Sequence, residues 1–193
     1  MKIIVFENII DKKSLFTEQI AVSFRPDSTL SKGNKPFFLP DFSDDFSSQI
    51  FVAVRICKLG KNIEERFARR YYNEFAFAVC LRADDLAQNA KMCNLAISFD
   101  GATAVSNFFE LESVDFQQIE LEYHYNENIY FINNLGNFFD KINQIIVFAS
   151  KFCTLKTGDL LLLRLNFETK KIKIGDKISI FFNKNKILEQ KIK

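Results

Sequence analysis

The segment Gln49-Ile50-Phe51-Val52-Ala53-Val54-Arg55-Ile56-Cys57-Lys58-Leu59 runs almost unbroken through apolar and β-branched residues. Such a run reads as a strand buried on both faces. Downstream, Phe75, Phe77, Val79 and Leu81 alternate with Ala76, Ala78 and Cys80. Period two puts the large side chains on one face of a second strand and the small ones on the other.

Working outward, Met1 to Phe6 and Glu18 to Phe24 read as strands separated by the polar stretch Asp11-Lys12-Lys13-Ser14. Arg25-Pro26-Asp27-Ser28 opens a turn, because proline fixes φ and keeps the preceding residue out of the helical region. Gly33-Asn34 marks another turn. Asn62-Ile63-Glu64-Glu65 has the form of a capped helix start, predicting a helix to about Tyr71. Asp84 or Asp85 caps a short helix to about Met92. Gln118 to Tyr125 alternates, with Ile119, Leu121, Tyr123 and Tyr125 on one face and Glu120, Glu122 and His124 on the other. Asn126-Glu127-Asn128 turns it into a second strand, Ile129 to Ile132. Phe138 to Phe152 has helical spacing, with Ile142, Ile145, Ile146 and Ala149 on one stripe. Leu160 to Ile192 reads as strands divided by Lys- and Asn-rich turns. No repeat and no Gly-, Ser- or Pro-rich linker divides the 193 residues, so one domain spanning 1–193 is expected.

Composition excludes more than it assigns. With 48% hydrophobic and 26% charged residues the chain is not a disordered one. A net charge of +2 creates no global field toward nucleic acid or membrane. The 23 Phe, with no Trp, carry no functional signal of their own. The start lacks a secretory apolar core, and no apolar run is long enough to span a bilayer, so a cytoplasmic protein is expected. Cys57, Cys80, Cys93 and Cys153 form no C-x-x-C pair and read as reduced thiols. Residues 150–193 hold eleven basic and four acidic residues. Their lysines alternate with Ile and Phe, which fits protected sheet edges better than a nucleic-acid surface.

Several segments carry a resemblance to a known family. Lys35 to Asp45 (KPFFLPDFSDD), Val54 to Ile63 (VRICKLGKNI) and Phe67-Ala68-Arg69-Arg70-Tyr71-Tyr72 resemble the fumarylacetoacetate hydrolase family. So do Arg25-Pro26-Asp27-Ser28, Phe99-Asp100-Gly101, Thr154 to Leu160 (TLKTGDL) and Lys173-Ile174-Gly175-Asp176, in the family's order and spacing. The similarity is strongest to small single-domain bacterial members. It implies a β-rich α+β fold, a mixed β-roll or sandwich with a few short helices, in a homodimer. It also implies carbon–carbon bond hydrolysis, isomerisation or decarboxylation of acylpyruvate- or dicarbonyl-type substrates. That chemistry uses Mg²⁺ or Mn²⁺ held by carboxylates, the ion acting as a Lewis acid.

The same resemblance locates losses. The family's Glu-x-Glu pair aligns with Gln49 and Phe51, and its third carboxylate with Cys80. A family Lys aligns with Ile97, the T-G-T-P loop with Leu163-Arg164-Leu165-Asn166, and a pocket Gln with Phe131. The segment before Arg25 is short against the family and contains no His where many members carry a lid His and Glu. A neutral amide, a phenyl ring and a soft thiol do not make a hard-cation site. The expectation is a member without catalytic residues and without a cofactor, its former pocket marked by Ile97, Phe131, Arg164 and Leu165 and filled by Phe51, Ile97 and Leu165. It would serve as a structural or interaction protein, as a homodimer or beside an intact paralogue. The alternative is a divergent metal-dependent enzyme with substitute ligands such as Gln49, Glu74, Asp84 or Asp100.

Other candidates are weaker. His124 reads as one polar residue on an alternating strand, and Cys80 as an inert thiol among alanines. Asp41 to Asp45 reads as framework. Glu64, Glu65, Arg66, Arg69 and Arg70 form a solvated helix face.

Overall fold

The computed structural model describes residues 1–7, 21–32, 34–114, 119–132, 135 and 141–193. The run 49–59 becomes the larger part of β4 (Phe46–Ile56), and the alternating segment lies within β5 (Tyr72–Ala83). They pair antiparallel along almost their whole length, from Phe46 opposite Ala83 to Ile56 opposite Tyr72. Around them stand β1 (Ile3–Phe6), β2 (Val22–Arg25), β3 (Leu30–Lys32), β6 (Thr103–Val105), β7 (Phe109–Glu110), β10 (Leu160–Arg164) and β11 (Lys170–Ile172). The order is β2-β1-β10-β4-β5-β6-β3, with β11 also on β4 and β7 also on β5. The β1–β10 and β3–β6 pairs are parallel and the rest antiparallel, so the sheet is mixed.

The ends of that order reveal its shape. β2 and β3 lie at opposite edges, yet only residues 26–29 join them. So short a link requires the sheet to curl until its edges approach. The curl gives it an inside and an outside. Inside are Ile3, Val5, Phe51, Ala53, Ala76, Ala78, Cys80, Leu160 and Leu162, with few large side chains. Outside are Phe75, Phe77, Val79, Leu81, Val52 and Val54, part of the main core. The alanine alternation in β5 thus serves curvature, and β4 reads as continuously apolar because both of its faces are covered.

Against the outer face packs a four-stranded antiparallel sheet, β13-β12-β8-β9, from β8 (Leu121–Tyr125), β9 (Asn128–Ile132), β12 (Lys177–Phe182) and β13 (Asn185–Lys191). Leu121, Tyr123, Ile178, Ile180, Phe182 and Leu188 are its buried contribution. Phe182 meets Phe77 at 5.4 Å and Phe75 edge-on at 6.1 Å between ring centroids. Besides the four-residue helices α1 (Glu65–Ala68) and α2 (Asp84–Ala87) there is α3 (Ile142–Phe152). Its stripe Ile142, Ile145, Ile146 and Ala149 enters the core as the spacing predicts. This is a β-rich fold of two layers with few short helices.

Some local expectations are corrected. Asn62 does not cap a helix: it sits at φ 51°, and the α-helix begins only at Glu65, passing into a 3-10 turn at Arg69–Tyr71. The second helix ends at Ala87, short of Met92. Residues 8–20, 115–118 and 136–140, where parts of three predicted elements fall, lie outside the described residues. His124 behaves as read, with Nε2 2.7 Å from Glu122 and its ring stacked on Phe181 at 4.3 Å. Among the described residues no helix is long and apolar enough to cross a membrane.

Candidate functional site

Strand register sets the inner surface of the roll. Gln49 of β4 faces Cys80 of β5, which faces Thr103 of β6. One step along, Arg164 of β10 faces Phe51, then Ala78, then Val105. On the other side of Gln49, Lys171 of β11 faces Ser47, which faces Arg82. Period two keeps these three rows on the same face. The positions 49, 51 and 80 singled out by the resemblance are therefore neighbours in space, all buried, at 3%, 0% and 1% exposure.

Their chemistry does not suit a magnesium or manganese ion. Gln49 turns its amide Nε2 toward Thr169 Oγ1 at 3.3 Å. Phe51 packs with Ile3, Val5, Leu160 and Leu162 and offers no donor. Burial pushes the Cys80 thiol up to about 11, although Arg25 and a Thr103 hydrogen bond act the other way. Its sulfur is also a soft donor, whereas magnesium and manganese ions take hard oxygen ligands.

Guanidinium groups stand around these positions. Arg164 Nη2 donates to Thr169 Oγ1 at 2.9 Å, the hydroxyl that Gln49 also reaches. Arg25, at the end of β2, is 2% exposed. Its Nη1 donates to Thr103 Oγ1 at 3.2 Å and more weakly to Leu81 O at 3.4 Å. Because Thr103 faces Cys80, this guanidinium stands beside the thiol. Glu7, just past β1, also adds its charge to the field at Cys80.

At the mouth, Asp84 takes hydrogen bonds from Ser47 Oγ at 3.0 Å, Arg82 Nε at 2.5 Å and Lys171 Nζ at 2.9 Å. Burial alone would raise its pKa, but these three donors outweigh that and hold the carboxyl below the ordinary aspartate value. Lys171 also binds Asp45, and that charge-assisted contact raises the lysine's pKa. An open cleft of about 530 Å³ lies here, lined by Arg82, Asp84, Ala87, Gln88, Thr169 and Lys171. Both carboxylates are thus already neutralised by protein cations. Glu74 is likewise paired with Arg55 at 2.8 Å, and Asp100 is an exposed turn residue before Gly101, whose φ is 73°. The substitute ligands Gln49, Glu74, Asp84 and Asp100 are not brought together into one shell.

Two of the residues expected to mark the former pocket lie elsewhere. Phe131, on β9 of the second sheet, is 69% exposed, because its alternation places it on the outer face opposite Glu122. Leu165 follows β10 and joins the main core on the outer side of the roll, so it does not fill the interior. Ile97 is buried in the 3-10 turn Leu95–Ile97 beside β5. Of the three predicted fillers only Phe51 lies in the inner cluster. Sequence reasoning also missed Arg25, Ser47, Arg82, Thr169 and Lys171. Only period two in β2, which sets Ser23 and Arg25 on one face, offered a signal for the first of these.

Comparison with known proteins agrees with the fold. The model of the fumarylacetoacetate (FAA) hydrolase C-terminal family matches residues 10–163. The mitochondrial oxaloacetate tautomerase FAHD1 of Mus musculus is 23% identical over 177 residues, covering 89% of this chain and 80% of that protein. The crystal structure of fumarylpyruvate hydrolase from Pseudomonas aeruginosa, in complex with Mn²⁺ and pyruvate, superposes with a TM-score of 0.83 at 11% identity. It covers all of this chain and 89% of that one. The 5-carboxymethyl-2-hydroxymuconate delta-isomerase of Mycobacterium smegmatis gives a TM-score of 0.83 at 18% identity, over 99% of this chain and 76% of that one. Matched along most of its length by the family model, and folded like such proteins throughout, the chain belongs to the fumarylacetoacetate hydrolase family.

Proposed function

We propose that this chain has given up the family's metal-dependent chemistry and keeps the roll as a binding or interaction scaffold. One observation carries the reading. The adjacent inner positions Gln49, Phe51 and Cys80, which the resemblance aligns with the family's carboxylates, present an amide, a phenyl ring and a soft thiol, with Arg25 and Arg164 beside them. Hard divalent ions require anionic oxygen donors, and guanidinium groups at that spot repel them. A reducing cytoplasmic setting belongs to the proposal, supported by four cysteines standing as free thiols. So does assembly with a second copy or with a relative that retains its carboxylates.

The test is thermal unfolding with Mg²⁺ or Mn²⁺, with and without oxalate. A true site would stabilise the fold by about 2.7 kcal/mol at a hundredfold excess over its dissociation constant. The expected result is no metal-dependent rise in Tm. An EDTA-reversible rise would overturn the proposal in favour of a divergent metal-dependent hydrolase, isomerase or decarboxylase acting on acylpyruvate- or dicarbonyl-type substrates.

A further inference from the structure

β4 begins at the cleft, with Ser47 beside Asp84, and its eleven residues carry the chain roughly 30 Å away to Ile56. The segment that follows is seated firmly. Gly60 bridges antiparallel to Leu155, Lys61 Nζ donates to Lys151 O at 2.9 Å, and Cys57 N donates to Tyr71 O at 2.8 Å. A Cβ at Gly60 would collide with the Tyr71 ring, so the turn packs tightly and its neighbours stand outward. Leu59 is 64% exposed, and Phe152, on the adjoining end of α3, is 70% exposed. Around these two apolar tips the charge is one-sided. Residues 57–71 and 151–158 hold seven lysines and arginines against two glutamates, although the whole chain carries only +2. Arg66 engages Glu64 at 2.9 Å, and Arg69 reaches Glu112 at 3.9 Å. Among the described residues, Lys58, Lys61, Arg70 and Lys156 have no carboxylate within ion-pair distance, and all four are exposed. Glu65 is left to oppose them.

We propose that this face docks on an anionic lipid bilayer. Leu59 and Phe152 enter the headgroup layer, and Lys58, Lys61, Arg70 and Lys156 lie over its negative charges. Two properties together point to that partner. Unpaired cations match a negative surface, and apolar tips standing among them gain by leaving water where headgroups meet acyl chains. Three of the four cations are lysines, compact charges on long stems that suit a diffuse anionic layer better than a bidentate ligand. Single-stranded nucleic acid has the same charge but binds by stacking its bases on open ring faces. Here the chain's own cations cover those faces. Arg66 and Arg70 lie over Phe67 at 4.7 and 5.0 Å, Arg69 over Tyr72 at 5.0 Å, and Lys58 over Tyr71 at 5.8 Å. Leu59 offers no ring at all. The proposal does not depend on the loss of the metal site, because it uses the opposite end of β4 from the cleft. The cytoplasmic leaflet, with its negative surface potential, is the bilayer that the proposed cytoplasmic setting supplies.

Co-sedimentation of the full chain with phosphatidylcholine vesicles, with and without about a third phosphatidylserine, tests this at an ionic strength of about 0.1 M. Binding is expected to the phosphatidylserine vesicles and not to phosphatidylcholine alone. Each lysine near an anionic surface contributes about fivefold to the partition, so Lys58→Gln with Lys61→Gln should weaken it about 25-fold. Leu59→Ser with Phe152→Ser should weaken it as well, while the charge stays unchanged. All four side chains are exposed, so circular dichroism and Tm should match the parent in both variants. No phosphatidylserine-dependent sedimentation would overturn the proposal. So would full binding by the lysine pair variant or by the apolar pair variant, since the contact would then lie on another face or use no apolar anchor. A single-stranded oligothymidylate that strips the chain from the vesicles while leaving the Leu59 and Phe152 variant bound to it would overturn the proposal in favour of nucleic acid.

Discussion

Gln49 and Cys80 stand directly opposite each other across the β4–β5 ladder, with Phe51 on the next inner position of the same strand. Opposed residues in an antiparallel pair have Cα atoms about 4.5–5.5 Å apart, close enough for two side chains to share one ion. The backbone geometry for a shared ligand set is therefore in place, and only the side-chain chemistry differs. That separates retention of the fold from retention of the site, and each can be probed alone.

The first prediction concerns thiol reactivity. Cys57 and Cys93 are exposed, Cys153 is intermediate and Cys80 is buried with its thiol pushed up to about 11. Timed alkylation at neutral pH, read by mass spectrometry, should label Cys57 and Cys93 first. Cys80 should react only at the rate of global unfolding, because both access and thiolate fraction are suppressed. Fast labelling of Cys80 in the native protein would show an open, ionisable thiol, contrary to its burial in the roll.

Phe51 offers a second prediction. It is fully buried and sets packed apolar surface between β10 and β5. Phe51→Ala should cost about 3–5 kcal/mol in urea unfolding, the range for removing a buried aromatic ring. The same variant should gain no response to Mn²⁺, since space without anionic donors does not bind a hard cation. A loss below about 1 kcal/mol would mean that the ring lies loosely in a vacant cavity, contrary to close packing.

Much of this architecture was legible in the residues themselves. The unbroken apolar run of β4 and the alternation of phenylalanine with alanine in β5 announced two covered faces, one of them small. The motifs from Arg25 to Asp176 announced the family, and the resemblance set Gln49, Phe51 and Cys80 at its carboxylate positions. What period and motif do not reveal is which side of a curled sheet a loop residue faces. Leu165 leaves β10 and turns to the outer core, while Thr169 comes back to meet Gln49. Phe131 belongs to a strand whose outer face is open to solvent. The cationic lining was hidden for a similar reason. Arg25 reads as a turn residue before proline until the closure of the roll brings it beside β5 and β6.

A third prediction follows from Asp159, at the junction of β1 and β10. Its Oδ1 accepts from Lys2 N at 3.0 Å, and its Oδ2 accepts from Lys156 N at 2.7 Å and from Lys2 Nζ. Burial pushes the carboxyl up, but these donors outweigh it and hold the pKa below the ordinary aspartate value. A group depressed on folding contributes stability above its unfolded pKa, about 3.9, and that contribution is lost as pH falls through the folded value. Asp159→Asn should therefore cost about 2 kcal/mol at neutral pH. The gap between variant and parent should narrow below pH of about 4, as the parent's own carboxylate is protonated. Urea midpoints measured from neutral to acid pH read both effects. A constant gap across that range would mean the carboxylate's charge contributes nothing.

The last prediction separates a structural Asp84 from a catalytic one. Asp84 is 7% exposed and receives Ser47, Arg82 and Lys171 at once, the arrangement of a carboxylate that ties strand ends to a helix start. Asp84→Asn keeps the shape and removes the charge, leaving Arg82 and Lys171 without their shared partner. It should destabilise the fold by about 1–2 kcal/mol, with less of a difference in acid, since the parent's carboxyl also has a depressed pKa. Lys171→Met alone should cost less, because an exposed ammonium loses little by separation from its partners. If Asp84 instead served as a substitute metal ligand, Asp84→Asn would abolish an Mn²⁺-dependent rise in Tm present in the parent. Parent and variant should instead respond alike, with no rise in either. That outcome, together with the neutral side chains of Gln49, Phe51 and Cys80, would leave the roll with no anionic group free to receive a cation among those that line its mouth.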